Sequence, residues 1–374
     1  MPFSIRLAVA AAALVLASGS QAAECTTAEG MRVPFTLEEQ NAARIAGIPD
    51  ARFFAEDVET FLKSVPEEPG PWLAISGGGA DGAYSAGILN GWTARGDRPD
   101  FSVITGISTG AAIAPFAFLG KAYDKTLLDN YTTINAGDIF EDIDTDQSLL
   151  DTWPLKDLIA RQATFEIMQA VAEEHRKGRR LYVVTMNLDS ERRVVWNLGA
   201  IASKGDEAAL ALFRDVILAS SSVPGLFPPV TIDLDASGKC VREVHIDGSV
   251  GGPFYVAPRV WFDGKLGERL PASALYVMLN AKRTPYFEIV QQNILALTGR
   301  AISIALKFAG RVDAERSAAA ARRDDIPFGV AYIADDFDEI SQGAFDDAYM
   351  KKLFERGESE AKTGKAFRPD LAAD

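Results

Sequence analysis

The stretch Gly106-Ile107-Ser108-Thr109-Gly110 constrains this chain more than any other. It follows an apolar run at 101–105 that reads as a strand and precedes an apolar run at 111–119 that reads as a helix. A serine at a strand-to-helix corner needs a tight turn to lift its hydroxyl clear of the backbone. Such a turn crowds the positions two before and two after it, and Gly106 and Gly110 stand there. The helix then begins beneath the serine, so its first N–H groups, Thr109 leading, face any negative charge that develops. The plain alternative is a glycine-bounded turn in a parallel sheet, because a five-residue pattern of this kind is short.

The rest of the chain repeats the alternation. Strands are expected at 72–76, 181–186, 193–198, 241–246, 274–279 and 330–334, and helices at 83–92, 206–219 and 287–308, the last interrupted at Gly299. Strand alternating with helix implies an α/β fold whose central sheet is mostly parallel and flanked by helices. Ahead of it, residues 24–70 form an N-terminal arm with helices expected at 37–46, begun by Thr36 and Glu39 as a capping box, and at 53–64. The cluster Pro66, Pro69, Gly70 and Pro71 closes the arm. A main catalytic part is expected at 71–258, with 259–374 completing the same globule. At the very start, Arg6, the apolar run 7–17 and the small residues before Glu24 read as a signal peptide over 1–23. An exported chain, periplasmic or secreted, follows. Cys25 raises lipid anchoring as an alternative, although Glu24 stands where a small residue is wanted. In an oxidising compartment Cys25 and Cys240 would be able to pair; spacing leaves paired and free thiols both open.

Two further segments carry chemistry. Ser76-Gly77-Gly78-Gly79-Ala80-Asp81-Gly82 follows a strand and offers bare backbone amides to a ligand; Gly77, Gly78 and Gly79 are candidate oxyanion donors with Thr109. Gly77, Gly79 and Gly82 also satisfy a dinucleotide fingerprint, which needs an acid at the end of the next strand. Asp97 and Asp100 instead precede that strand. Asp247, in Ile246-Asp247-Gly248-Ser249, ends an apolar strand, where open α/β sheets place their sites. Alone it reads rather as a turn-capping aspartate, and it gains a catalytic reading only beside the other two segments.

Taken in order, the glycine loop, G-x-S-x-G and distal Asp-Gly resemble the patatin-like phospholipase family. The segment from Ala219 through Ser220, Pro224 and Gly225 to Pro229 also resembles the family's, and the likeness spans roughly residues 72–254. It implies the three-layer fold of that family and a lipid acyl hydrolase with Ser108 as nucleophile and Asp247 as its base. It also implies an acyl-enzyme, no metal and no organic cofactor. The substrate would be a lipid or related ester met at a membrane or micelle surface. Two positions depart from the family: Asp81 stands where Arg or Lys is usual, and Ser249 where a second glycine is usual. Those departures support an alternative, a lipid-binding module without catalysis.

Most serine hydrolases use histidine as the base, and this chain has two. His175 lies in a charged helix end. His245 shares a strand face with Asp247, so a relay through it stays open. With two histidines and two cysteines, no metal-ligand spacing occurs. A formal charge of −14 disfavours nucleic acid, and no polybasic run draws the chain to an anionic membrane. Ile294, Leu297, Ala301, Ile304 and Phe308 fall at helical spacing. They read as a core helix, with an acyl-chain wall or an interfacial face as the alternative; Phe116 and Phe118 carry the same ambiguity.

Overall fold

The computed structural model describes residues 25–28, 30–142, 148–287 and 289–371; the expected signal segment at 1–23 lies outside them. Nine strands build one sheet: β1 (Arg52–Phe54), β2 (Gly70–Ile75), β3 (Val103–Gly106), β4 (Arg180–Asn187), β5 (Arg192–Asn197), β6 (Val230–Ala236), β7 (Lys239–Asp247), β8 (Ala272–Lys282) and β9 (Phe328–Ile333). The order is β1-β5-β4-β3-β2-β8-β9, with β7 paired to β4 and β6 to β7. Strands β9, β8, β2, β3 and β4 run parallel and form the centre. The others add antiparallel pairs on one side.

The helices that matter here are α1 (Leu37–Ala42), α2 (Val58–Ser64), α3 (Gly82–Arg95), α4 (Thr109–Leu119), α5 (Glu207–Ser220), α6 (Ile294–Arg323) and α7 (Asp347–Lys362). Successive strand residues point to opposite faces. Leu73, Ile75, Ile104 and Val183 therefore pack beneath α3, α4, α5 and α7, while Trp72, Ala74, Val103 and Val184 pack against α2 and the second half of α6. The result is a three-layer α/β arrangement with a mixed, mostly parallel sheet between helices. Phe116 and Phe118 are buried in the first of these layers.

Three local expectations change. Residues 53–64 are not one helix: Arg52–Phe54 pairs with Val194–Trp196 at the sheet edge, and α2 begins only after Asp57, whose side chain accepts from the Thr60 amide. Three residues are too few to show a strand period. The strand ending at Asp247 has a hairpin partner, β6, joined through Ser237 and Gly238 at positive φ. Its signal is strict alternation, with Ile232 and Leu234 inside and Thr231, Asp233 and Asp235 outside. The helix expected at 287–308 begins at Ile294, runs unbroken through Gly299 to Arg323 and does not bury its apolar stripe: Ile294, Leu297, Ile304 and Phe308 are exposed. The same period suits a helix facing a core or facing outward, so only the packing partner decides.

Cys25 and Cys240 form a disulfide, with their Cα atoms 5.0 Å apart, which ties the arm to β7. Arg52 adds a buried ion pair with Glu243 on the same strand. No helix among the described residues is long and apolar enough to cross a membrane.

Candidate active site

The site forms where two strands meet end to end. β3 runs parallel to β4, with Gly106 opposite Val183; β7 runs antiparallel to β4, with Asp247 opposite Thr185. Since β5 holds the other edge of β4, β3 and β7 share one edge and point at each other, with only Val184 between their partners. The turn after β3 and the carboxylate ending β7 are thereby brought together, although 139 positions separate Ser108 from Asp247.

Ser108 sits on that turn at φ 55° and ψ −125°, a strained conformation for a residue with a side chain, and α4 starts at the next residue. A Cβ at position 106 would run into the Gly110 carbonyl, and one at 110 into the Ile75 carbonyl, so the flanking glycines answer to close backbone approach. The turn is held from below by Ser220, the last residue of α5. Its buried hydroxyl accepts from the Ser108 amide (3.0 Å) and donates to the Val184 carbonyl (2.7 Å). Ser220 is thus a positioning residue that motif reading named only as part of a longer segment.

The glycine loop lies beside this turn: a Cβ on Gly77 would meet the side chains of Ser108 and Ser249. The loop is pinned by Asn280 near the end of β8. Asn280 donates from its backbone to the Ser76 hydroxyl and from its side chain to the Ser76 carbonyl, both at 2.9 Å, and accepts from Ser85 at 2.6 Å. Gly78, at φ 153°, lies flat against Asn280, where a Cβ would collide. Asn280 was not among the sequence candidates; its signal is a lone amide closing the apolar run Leu275–Leu279. Of the expected donors, the Gly77 amide is committed to the Pro253 carbonyl at 3.0 Å. The amides of Gly78, Gly79 and Thr109 have no acceptor among the described residues.

Asp247 is buried. Burial pushes its carboxyl up to about 6, against the opposing pull of the Ser108 hydroxyl and of the Ser249 amide, which donates to Oδ1 at 2.8 Å. Asp81 behaves similarly: burial raises it to about 6, while the Tyr349 hydroxyl (2.7 Å) and, more weakly, Lys307 and Lys282 hold it down. The cations missing from the loop's own sequence therefore arrive from α6 and β8.

The histidines stand apart. Both ring nitrogens of buried His245 are engaged, Nδ1 with Thr185 Oγ1 at 2.9 Å and Nε2 with Glu243 Oε2 at 3.0 Å. Burial lowers the pKa of His245, against the opposing pull of Glu243. Burial alone would raise Glu243, but His245 and Arg52 hold it down to about 2. This Arg52–Glu243–His245 row braces β7 and offers no free nitrogen to Ser108. His175 packs its ring against Gly199, where burial lowers it to about 4. As for the dinucleotide pattern, the strand following its glycines, β3, ends in Gly106 with no acid.

A serine raised on a strand-to-helix turn, a buried carboxylate beside it and a bed of open amides thus meet at one edge of an α/β sheet. The patatin-like phospholipase model matches residues 73–274, more than half of the chain, and the chain belongs to that family. VipD from Legionella pneumophila aligns with 81% of this chain and 68% of its own, at 13% identity and a TM-score of 0.36. A stretch of 103 residues is 35% identical to the chloroplastic arginine biosynthesis bifunctional protein ArgJ of Citrullus lanatus, covering 23% of this chain and 22% of that protein. The chain thus spans about a fifth of the length of this curated relative.

Proposed function

We propose that this protein hydrolyses acyl esters of lipids through a Ser108–Asp247 dyad and an acyl-enzyme. Asp247 takes the Ser108 proton as Oγ attacks the ester carbonyl. The amides of Gly78, Gly79 and Thr109 receive the oxyanion; Gly77, being committed to Pro253, shapes the loop instead. Asp247 returns the proton to the leaving alcohol, then takes one from the water that clears the acyl group. A base poised near 6 suits proton traffic around neutral pH. The observation that carries this reading is the end-to-end approach of β3 and β7, which sets the strained serine beside a buried carboxylate.

The chain is further proposed to be exported, to the periplasm or outside the cell. A leader-like start and the Cys25–Cys240 disulfide support this. A sulfur held in that bond is not available for lipid attachment, which argues against anchoring through Cys25.

A fluorophosphonate probe tests the nucleophile. Wild type is expected to take up one covalent label on Ser108, and Ser108→Ala to lose both label and esterase turnover. A Ser108→Ala protein that still labels and turns over would defeat the proposal.

A further inference from the structure

α6 is two helices in one. From Gly310 onward one face is buried, through Gly310, Ala314, Ser317 and Ala321. Before that point the helix carries a continuous apolar stripe of Ile294, Leu297, Ile304, Phe308 and, just beyond, Val312, each between 44% and 68% exposed. At about 3.6 residues per turn the stripe lies nearly half a turn from the buried face, so it looks away from the protein. Phe287 and Ile289, just ahead of the helix, are 89% and 84% exposed. So much contiguous apolar surface marks an interaction face.

Charge identifies what that face meets. The whole chain is at −14, yet residues 289–312 hold Arg300, Lys307 and Arg311 and no acid. These cations follow one edge of the stripe. Arg300 and Lys307, with Lys282 of β8, gather around the Tyr286 ring at 4.3, 4.0 and 5.6 Å; Lys282 and Lys307 also face Asp81 and donate to the Phe337 and Thr284 carbonyls, Asp335 lies near Lys307, and Arg311 is offset by Glu315 one turn on. An apolar stripe bordered by cations fits an anionic lipid surface, in which the side chains enter the acyl boundary and the cations meet head groups. The basic rim exists only in the fold, because Lys282 and Lys307 are 25 positions apart. The opposite, buried face of the same helix adjoins the site: Gly310 lies against Pro253, whose carbonyl holds the Gly77 amide.

We propose that the stripe from Ile294 to Phe308, with its Lys282–Arg300–Lys307 rim, docks the protein on anionic bilayers and presents the Ser108 site to lipid. The purpose rests on the hydrolase reading above; the docking is measured without it. The test is cosedimentation of the Ser108→Ala protein, which needs no turnover, with phosphatidylcholine vesicles and with vesicles in which about one lipid in three is phosphatidylserine. The Ser108→Ala protein should bind the second kind more tightly, and less so at high salt. Adding Ile304→Glu and Phe308→Glu should weaken binding by tenfold or more, with thermal unfolding unchanged because both side chains are exposed. With Ser108 restored, the same pair should cut hydrolysis of vesicular lipid and spare a soluble short-chain ester. If Ile304→Glu/Phe308→Glu binds as before, or the parent ignores both vesicles, the docking proposal is overturned. A parent that sediments as a dimer and becomes monomeric on Ile304→Glu/Phe308→Glu overturns it as well, in favour of self-association. A wild-type protein that binds vesicles yet hydrolyses no ester would instead count against the dyad.

Discussion

Replacing Asp247 with asparagine separates stability from activity, and the structure sets the size of both effects. The carboxyl is displaced from 3.8 to about 6 by burial. At about 1.36 kcal/mol per pKa unit, holding it ionised in the fold costs about 3 kcal/mol at neutral pH. Asparagine is nearly the same shape, keeps an oxygen for the Ser249 amide and carries no charge. Asp247→Asn is therefore expected to be the more stable protein by up to about 3 kcal/mol. With an unfolding entropy of about 2.1 cal/mol/K per residue, this corresponds to about 4 °C in Tm. The pH dependence gives the sharper check. The native carboxyl keeps its proton to about pH 6, whereas the unfolded chain releases it near 3.8. Wild type consequently loses stability as pH rises through that window, and the full cost stands above it. The advantage of Asp247→Asn should be near zero at pH 4, grow between 4 and 6 and level off above. Asp81 titrates in the same range but is common to both proteins and cancels in the difference. Denaturant melts of the oxidised proteins from pH 4 to 8 measure it. On turnover, losing the proposed general base should cost about 10²–10⁴-fold, and wild-type rate should fall about tenfold per unit below pH 6. A flat stability difference across pH, or an asparagine variant working at full rate, would refute the assignment of a destabilised buried base.

Two further outcomes follow from the scaffold. Ser220→Ala removes the hydroxyl linking the Ser108 amide to the Val184 carbonyl, leaving two buried groups unpaired. A loss of about 2 kcal/mol in stability is expected. Because Ser220 positions Ser108, the proposed nucleophile, kcat and the labelling rate should fall while KM holds; a change in KM alone would speak against that role. Breaking the Cys25–Cys240 bond with Cys240→Ser frees a loop of 215 positions. The chain-entropy account sets about 5 kcal/mol as the upper limit of the loss, and reductant should lower the wild-type Tm while leaving that of Cys240→Ser unchanged.

Some of this was legible in residues alone because the physics is local. Gly106 is demanded by a tight turn within five residues, because a Cβ there would meet the Gly110 carbonyl, and the capping box of Thr36 and Glu39 spans four. The apolar runs declare strands and helices by period, hence the α/β class. Other features required the chain to be brought together. Burial, which raises Asp247, is a property of its surroundings, and the occupied nitrogens of His245 depend on Thr185 and Glu243. The Gly77 amide reads as open until Pro253 is seen against it, and Ser220 and Asn280 hold the site through Ser108 and Ser76, 112 and 204 positions away. The stripe on α6 makes the same point. Its period says which side is apolar, but whether that side meets a core or the outside depends on what packs against it. Packing is a long-range outcome, which local spacing does not encode.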